Sequence, residues 1–171
     1  MRHRVLNVCL WLSVIGISAW FGGTLYQMLV IDPAWSASPP DSIRNFLQAT
    51  DFNRRILSFF GPAFMVARTL PLLIALATAW RLPGHRKALL ISVICYVGIV
   101  IPLTLLYIYR INDVLFGQAG GSGTPEEIQE MARQWIAANR LRFAVGCTGY
   151  FSLLWAFRLP IPTDPSEWKN D

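Results

Sequence analysis

Charge is scarce in this chain. Aspartate, glutamate, lysine and arginine make up 15% of its 171 residues, against about 25% in ordinary soluble domains. Such a chain cannot cover itself with a solvated surface, and a membrane protein is indicated. Histidine is scarcer still: His3 and His85 both stand in basic turns. No group of His, Cys, Asp and Glu has the spacing of a zinc, haem or di-iron site, so no metal is expected. The cysteines, Cys9, Cys95 and Cys147, fall in three different apolar runs with no CxxC pair, which predicts buried, unpaired thiols. GxSxG is absent, and Gly117, Gly120, Gly121 and Gly123 are not followed by the Lys-Ser/Thr of a phosphate loop. Hydrolase and nucleotide chemistry lose support with them. No organic cofactor is expected. The formal charge of +5 does not imply nucleic acid, because the basic residues stand at the ends of apolar runs and form no stripe.

What is present is apolar length: 54% of the residues are hydrophobic. The stretch Ile56 to Trp80 is long enough to cross a bilayer and carries one cation, Arg68, near its middle. At about 1.5 Å per residue, Arg68 lies roughly 18 Å from either end. No Asp or Glu falls within any apolar run, so Arg68 needs a polar side chain, a backbone carbonyl, water or an anionic ligand group.

The fold expected is all-α: a polytopic integral membrane four-helix bundle, one domain over residues 1–171, with spans at about 5–31, 56–80, 88–109 and 136–157. The first run is too long for the 7–15-residue core of a signal peptide. Asp32-Pro33 is expected to close the first helix, with Trp35 as an interface anchor. Ser18/Gly22 and Ala19/Gly23 have the small-xxx-small spacing of close helix packing. A short helix capped by Asp41 or Ser42 is expected within 42–55. Pro62 suits a first turn, whereas Pro71 and Pro102 interrupt helix interiors, Pro102 freeing the carbonyl of Gly98. Gly117 to Gly123 reads as a flexible linker. Thr124-Pro125-Glu126-Glu127 is a capping box opening a helix of roughly 33 residues, whose first turns extend above the membrane. The density of Lys and Arg places both termini on the cytoplasmic side, of a bacterial inner membrane.

Trp135, Asn139 and Arg142 fall within about 60° of one another on a helical wheel, and Arg140 points away. At the same end this stripe meets Tyr26 and Gln27, Arg54 and Arg55, and Asn112 and Asp113. Such convergence reads either as a site or as an interfacial tie of Arg142 to Asp113 or Asp51.

The small-residue patch before Xaa-Pro, the exit Tyr107-Ile108-Tyr109-Arg110-Ile111-Asn112-Asp113, and Trp135-xxx-Asn139-xx-Arg142 resemble small four-span membrane proteins related to fungal anthrone oxygenases. Many bacterial members are classed only as a domain of unknown function. The resemblance implies oxidation of a tricyclic phenolic ketone by molecular oxygen, without metal or flavin. It implies Asp113 as base and Arg142 or Arg68 as anion stabiliser; with Asn139 in the catalytic group, the converging Arg68, Tyr26, Gln27, Asn112 and Trp135 are the residues expected to bind the substrate. Asn139 stands where those relatives often carry His, and asparagine cannot act as a base near neutral pH. The expected partners are membrane lipids, a lipophilic aromatic or quinone-like small molecule, and a second copy of the chain. The rival reading is a non-enzymatic membrane subunit or a lipid- or ligand-binding protein. A transporter ranks third, since four spans would have to dimerise to enclose a path.

Overall fold

The computed structural model describes residues 1–50, 61–117 and 123–163. These are helical throughout their regular structure: α1 Arg2–Ser36, α2 Asp41–Ala49, α3 Pro62–Thr78, α4 Pro83–Leu115 and α5 Pro125–Arg158. Among the described residues, α1 and α4 are long and apolar enough to cross a membrane, and α3 is a shorter apolar helix.

Proline shapes two of these helices without ending them. Pro33 has no N–H to donate, yet α1 runs on to Ser36, past the stop expected at Asp32-Pro33. The turn before it, Gln27–Ile31, is π-helical, and its wider i→i+5 bonding absorbs the missing donor. Pro102 is handled alike, between π-helical turns at Ile94–Val100 and Leu103–Ile108. Beyond the proline the Thr104 hydroxyl donates to the carbonyl of Val100 at 2.7 Å. Pro62 starts α3, and Pro71 lies inside it. The expected start of this span, 56–60, lies outside the described residues, as do Asp51, Arg54, Arg55, Gly120 and Gly121.

At α2 neither Asp41 nor Ser42 caps the helix. The Ser42 hydroxyl donates to the carbonyl of Trp35 at 2.5 Å and accepts from Ser38 N–H at 3.1 Å, fastening α2 to the end of α1. At α5 the capping box forms: Glu127 N–H donates to Thr124 Oγ1 at 3.3 Å, and Thr124 N–H to Glu127 Oε2 at 2.9 Å. Thr124→Ala removes one of these bonds, worth about 1 kcal/mol. Amide hydrogen exchange over the first turn of α5 should rise roughly fivefold, while the lower half stays protected.

α1 packs along α3 and against α5, α5 packs along α4, and α3 meets α4 near their connecting turn. The core has two parts. One, at the end holding the start of α1 and the close of α5, joins Leu6, Leu10, Trp20, Leu72, Leu89, Tyr96 and Leu153. The other covers the opposite end with Trp35, Ile43, Leu115, Phe116, Ile128 and Trp135. Trp35 is fully buried in it, so it is a core residue and not the interface anchor expected.

Glycine permits the closest approaches, but not at Gly22. A Cβ on Gly22 would meet nothing within 4 Å, whereas on Gly146 it would lie 2.5 Å from two atoms of the Trp20 ring. On Gly149 it would lie 2.8 Å from the Tyr96 ring, and on Gly16 2.9 Å from the Arg68 Cβ. Gly22 itself is exposed, although Ser18, one turn before it, shares a hydrogen bond with the Tyr150 hydroxyl of α5 at 2.9 Å.

Candidate functional site

Where the two cores meet, α1, α4 and α5 bring buried polar groups together. Asp32 closes the π-helical turn of α1, is 5% exposed, and accepts two hydrogen bonds. Asn139 Nδ2 donates to its Oδ2 at 3.0 Å, and Trp35 Nε1 to its Oδ1 at 3.3 Å. The carbonyl oxygen of Asn139 in turn accepts from Arg142 Nη2 at 2.5 Å, and Arg142 Nη1 donates to Thr104 Oγ1 at 3.4 Å. The amide of Asn139 thus links a carboxylate to a guanidinium, each end of it satisfied by a charged partner. Asn139 is fully buried and Arg142 is 5% exposed. Buried charges of this kind persist only when hydrogen-bonded and paired. Next to this relay Trp135 Nε1 donates to Asn112 Oδ1 at 2.6 Å, and its ring meets that of Trp35 edge-on at 5.2 Å.

Arg68 rises from α3 into the same interior and is 3% exposed. Its guanidinium carbon lies 4.9 Å from the Trp20 ring centroid, 5.5 Å from that of Tyr96 and 6.0 Å from that of Phe64. Aromatic faces attract a cation, and they are what holds Arg68 in place of the polar partners listed above. Its Nε and Nη1 find no acceptor, nor does Nε of Arg142, and the buried Tyr109 hydroxyl is likewise without a partner. Arg68, Asp32 and Tyr109 are all within electrostatic reach of Arg142. The Tyr96 hydroxyl is spoken for, donating to the Gly146 carbonyl at 2.8 Å.

The sequence-derived residues therefore divide. Arg142, Asn139, Trp135 and Asn112 assemble, and Arg68 approaches from below. Gln27 is buried one turn before Asp32, while Tyr26 is 59% exposed and turned away. Asp113 is exposed and stays outside the cluster. The carboxylate in the site is Asp32, which sequence reading missed by treating Asp32-Pro33 as a helix stop. The signal was there: an Asp at the end of an apolar run has either water or a buried partner, and Trp35 three residues on is a donor on the same face.

Chemically, the cluster offers a carboxylate that can take a proton, a guanidinium held beside it, and buried donors with no acceptor. Among the described residues no group of three His, Cys, Asp or Glu could hold a metal ion.

The family model described as anthrone oxygenase matches residues 52–152, more than half of the chain. The match takes in Arg68, Asn112, Trp135, Asn139 and Arg142, and leaves out Asp32. No curated protein and no solved structure matches.

Proposed function

The chain belongs to the anthrone oxygenase family, and from that premise we propose that it is a four-span membrane oxygenase acting on a lipophilic phenolic or quinone-like molecule. The observation that carries this is the buried Asp32–Asn139–Arg142 relay. Asp32 takes a proton from the activated CH2 of a tricyclic phenolic ketone. Arg142, steered by Asn139, stabilises the enolate oxygen so formed. The electron-rich enolate is oxidised by molecular oxygen: the CH2 becomes C=O, one oxygen atom enters the carbonyl and the other leaves as water. Trp135 and Asn112 line the approach, and Asp113 has no part in the proton transfer. The decisive experiment is oxygen uptake by purified protein with anthrone. One O2 consumed per anthraquinone formed supports the reading; substrate binding without uptake favours the ligand-binding alternative.

Four spans are supported by the outward surface. Ile15 of α1, Val66 and Leu70 of α3, Leu106 of α4 and Phe151 and Trp155 of α5 are all large, apolar and more than half exposed, as lipid-facing residues are, save that Tyr26 adds a hydroxyl near one end. The ends differ in charge. Among the described residues Asp32, Asp41, Asp113, Glu126, Glu127 and Glu130 stand at the α2 end beside Arg44, Arg110, Arg133 and Arg140, whereas Arg2, Arg4, Arg81, Arg86, Lys87 and Arg158 mark the other without an acid among them. There Trp80 and Trp155 are exposed, with Arg86 and Arg158 each 5.8 Å above a ring, an interfacial pairing. By the positive-inside bias this supports a cytoplasmic side for the start of α1, the α3–α4 turn and the close of α5. A cysteine placed at Lys87 should be shielded from an impermeant maleimide in intact cells, and one placed at Glu126 should react; the reverse pattern would invert the topology.

A further inference from the structure

Two arginines at the end opposite α2 take no part in the buried cluster, and both are set in the same way. Arg86, in the first turn of α4, lies 5.8 Å from the Trp80 ring centroid, and Arg158, closing α5, lies 5.8 Å from that of Trp155. Both indoles are more than half exposed. The two pairs share one rim. A Cβ on Gly84 would lie 3.2 Å from Leu159 Cδ1, and the His85 ring reaches the Leu159 backbone, so the chain next to Arg86 touches the chain next to Arg158. A guanidinium resting on a ring is engaged through its face, which leaves its N–H edge open to an acceptor. Among the described residues the one acceptor either arginine finds is the Trp80 carbonyl, 3.4 Å from Arg86 Nη1. The ion pairs among the described residues, Arg44–Asp41 and Arg133–Glu130, are both at the other end. The excess of cations at this rim holds for the whole sequence: residues 1–4, 80–87 and 158–171 contain seven Lys and Arg against three acids.

The surface that continues from the rim selects the occupant. On α4, Leu90 and Ile94 follow Arg86 at four-residue steps, and on α5 Trp155 and Phe151 precede Arg158 by one and two turns. Residues at these spacings share a helix face, and all four are large, apolar and at least 40% exposed. An anion held at the rim therefore stands at the head of an apolar path about 12 Å long. A free phosphate or an acidic peptide leaves that path bare. Resting on the membrane reading above, we infer that this rim binds a phospholipid of net negative charge from the adjoining leaflet, its phosphate on Arg86 and Arg158 and its acyl chains along Leu90, Ile94, Phe151 and Trp155. A phosphodiester offers two oxygens to a guanidinium fork, and the exposed indoles suit the ester and glycerol layer, where tryptophan settles. A choline headgroup brings a cation of its own into a rim already rich in them, which is the basis for discrimination.

The test is native mass spectrometry of the whole protein in neutral detergent, with equal amounts of phosphatidylglycerol and phosphatidylcholine of the same acyl chains. The protein should retain phosphatidylglycerol at least about fivefold more than phosphatidylcholine, a preference within what two basic side chains near a membrane surface supply. Arg86→Gln combined with Arg158→Gln should remove most of that preference. Arg44→Gln combined with Arg133→Gln takes the same charge from the other end and should keep it. Should the first double variant fail to fold, Arg158→Gln alone, at an exposed side chain, should still lower the ratio. Equal retention of the two lipids by the wild type overturns the anionic assignment and leaves the membrane reading intact. A wild-type ratio in the Arg86 and Arg158 variant overturns the role of these residues, and an equal loss in both double variants shows that overall charge, not this rim, selects the lipid. Displacement of bound phosphatidylglycerol by inorganic phosphate overturns the lipid in favour of a soluble anion. A protein that stays dispersed without detergent and retains neither lipid loses the membrane reading and the lipid site together.

Discussion

Asp32→Ala is expected to destabilise the protein by about 3 kcal/mol and to abolish turnover. The substitution leaves the Asn139 amide and the indole N–H of Trp35 without acceptors and strands Arg142 as a second buried cation with no anion. Removing one partner from a buried ionic network costs about 3–5 kcal/mol, and the indirect link through Asn139 argues for the low end. Asp32→Asn is the sharper variant. It keeps the shape, but an amide that accepts from Asn139 must point its own N–H2 at the Trp35 N–H, donor against donor, at a cost of about 1–3 kcal/mol. As it cannot take a proton, turnover should fall at least about 10²-fold even in the folded fraction. Thermal unfolding in detergent and oxygen uptake measure the two effects. An Asp32→Ala protein with wild-type melting temperature would remove Asp32 from the core; full activity in Asp32→Asn would remove it as the base.

The second large effect is expected at Gly146→Val. A Cβ there lands 2.5 Å from two Trp20 ring atoms, and the Trp20 ring also carries Arg68 on its face. The ring cannot retreat freely, since it meets Tyr96 edge-on at 5.4 Å and Tyr96 is fixed by its bond to the Gly146 carbonyl. Overpacking of this kind costs about 1–3 kcal/mol, and displacement of a buried cation adds to it. Gly22→Val, where nothing lies within 4 Å, is the matched control and should change stability by no more than about 0.5 kcal/mol. Trp20→Leu in the Gly146→Val background should recover part of the loss, because it removes the colliding ring. Equal melting temperatures for the Gly146 and Gly22 variants would show that α1 and α5 do not meet as described.

Much of the helical framework is legible in the residues because its causes are local. A capping box satisfies its own N–H groups within four residues, so Thr124 to Glu127 announces the start of α5 without reference to anything else. Apolar length works likewise for α1 and α4, and the wheel angle that gathers Trp135, Asn139 and Arg142 follows from 3.6 residues per turn. Proline was read less well. Its missing N–H is a local fact, but whether the helix stops or widens depends on what holds the next turn. At Pro33 the bonds of Asp32 to Asn139 and of Ser42 to the Trp35 carbonyl anchor that turn from outside.

The site residues divide on the same line. By itself the sequence determined which elements are helical, where α5 begins, which stripe of α5 carries polar groups, and that Arg68 would be buried without a carboxylate on its own run. Only the tertiary structure decided that Asp32, 107 residues from Asn139 in the chain, supplies the buried carboxylate, that Asp113 stays outside, and that Gly146 rather than Gly22 is the point of closest approach. The reason is physical: periodicity states which residues share a face of one helix, whereas pairing across helices depends on rotation and depth, which are set by the packing of all the helices together.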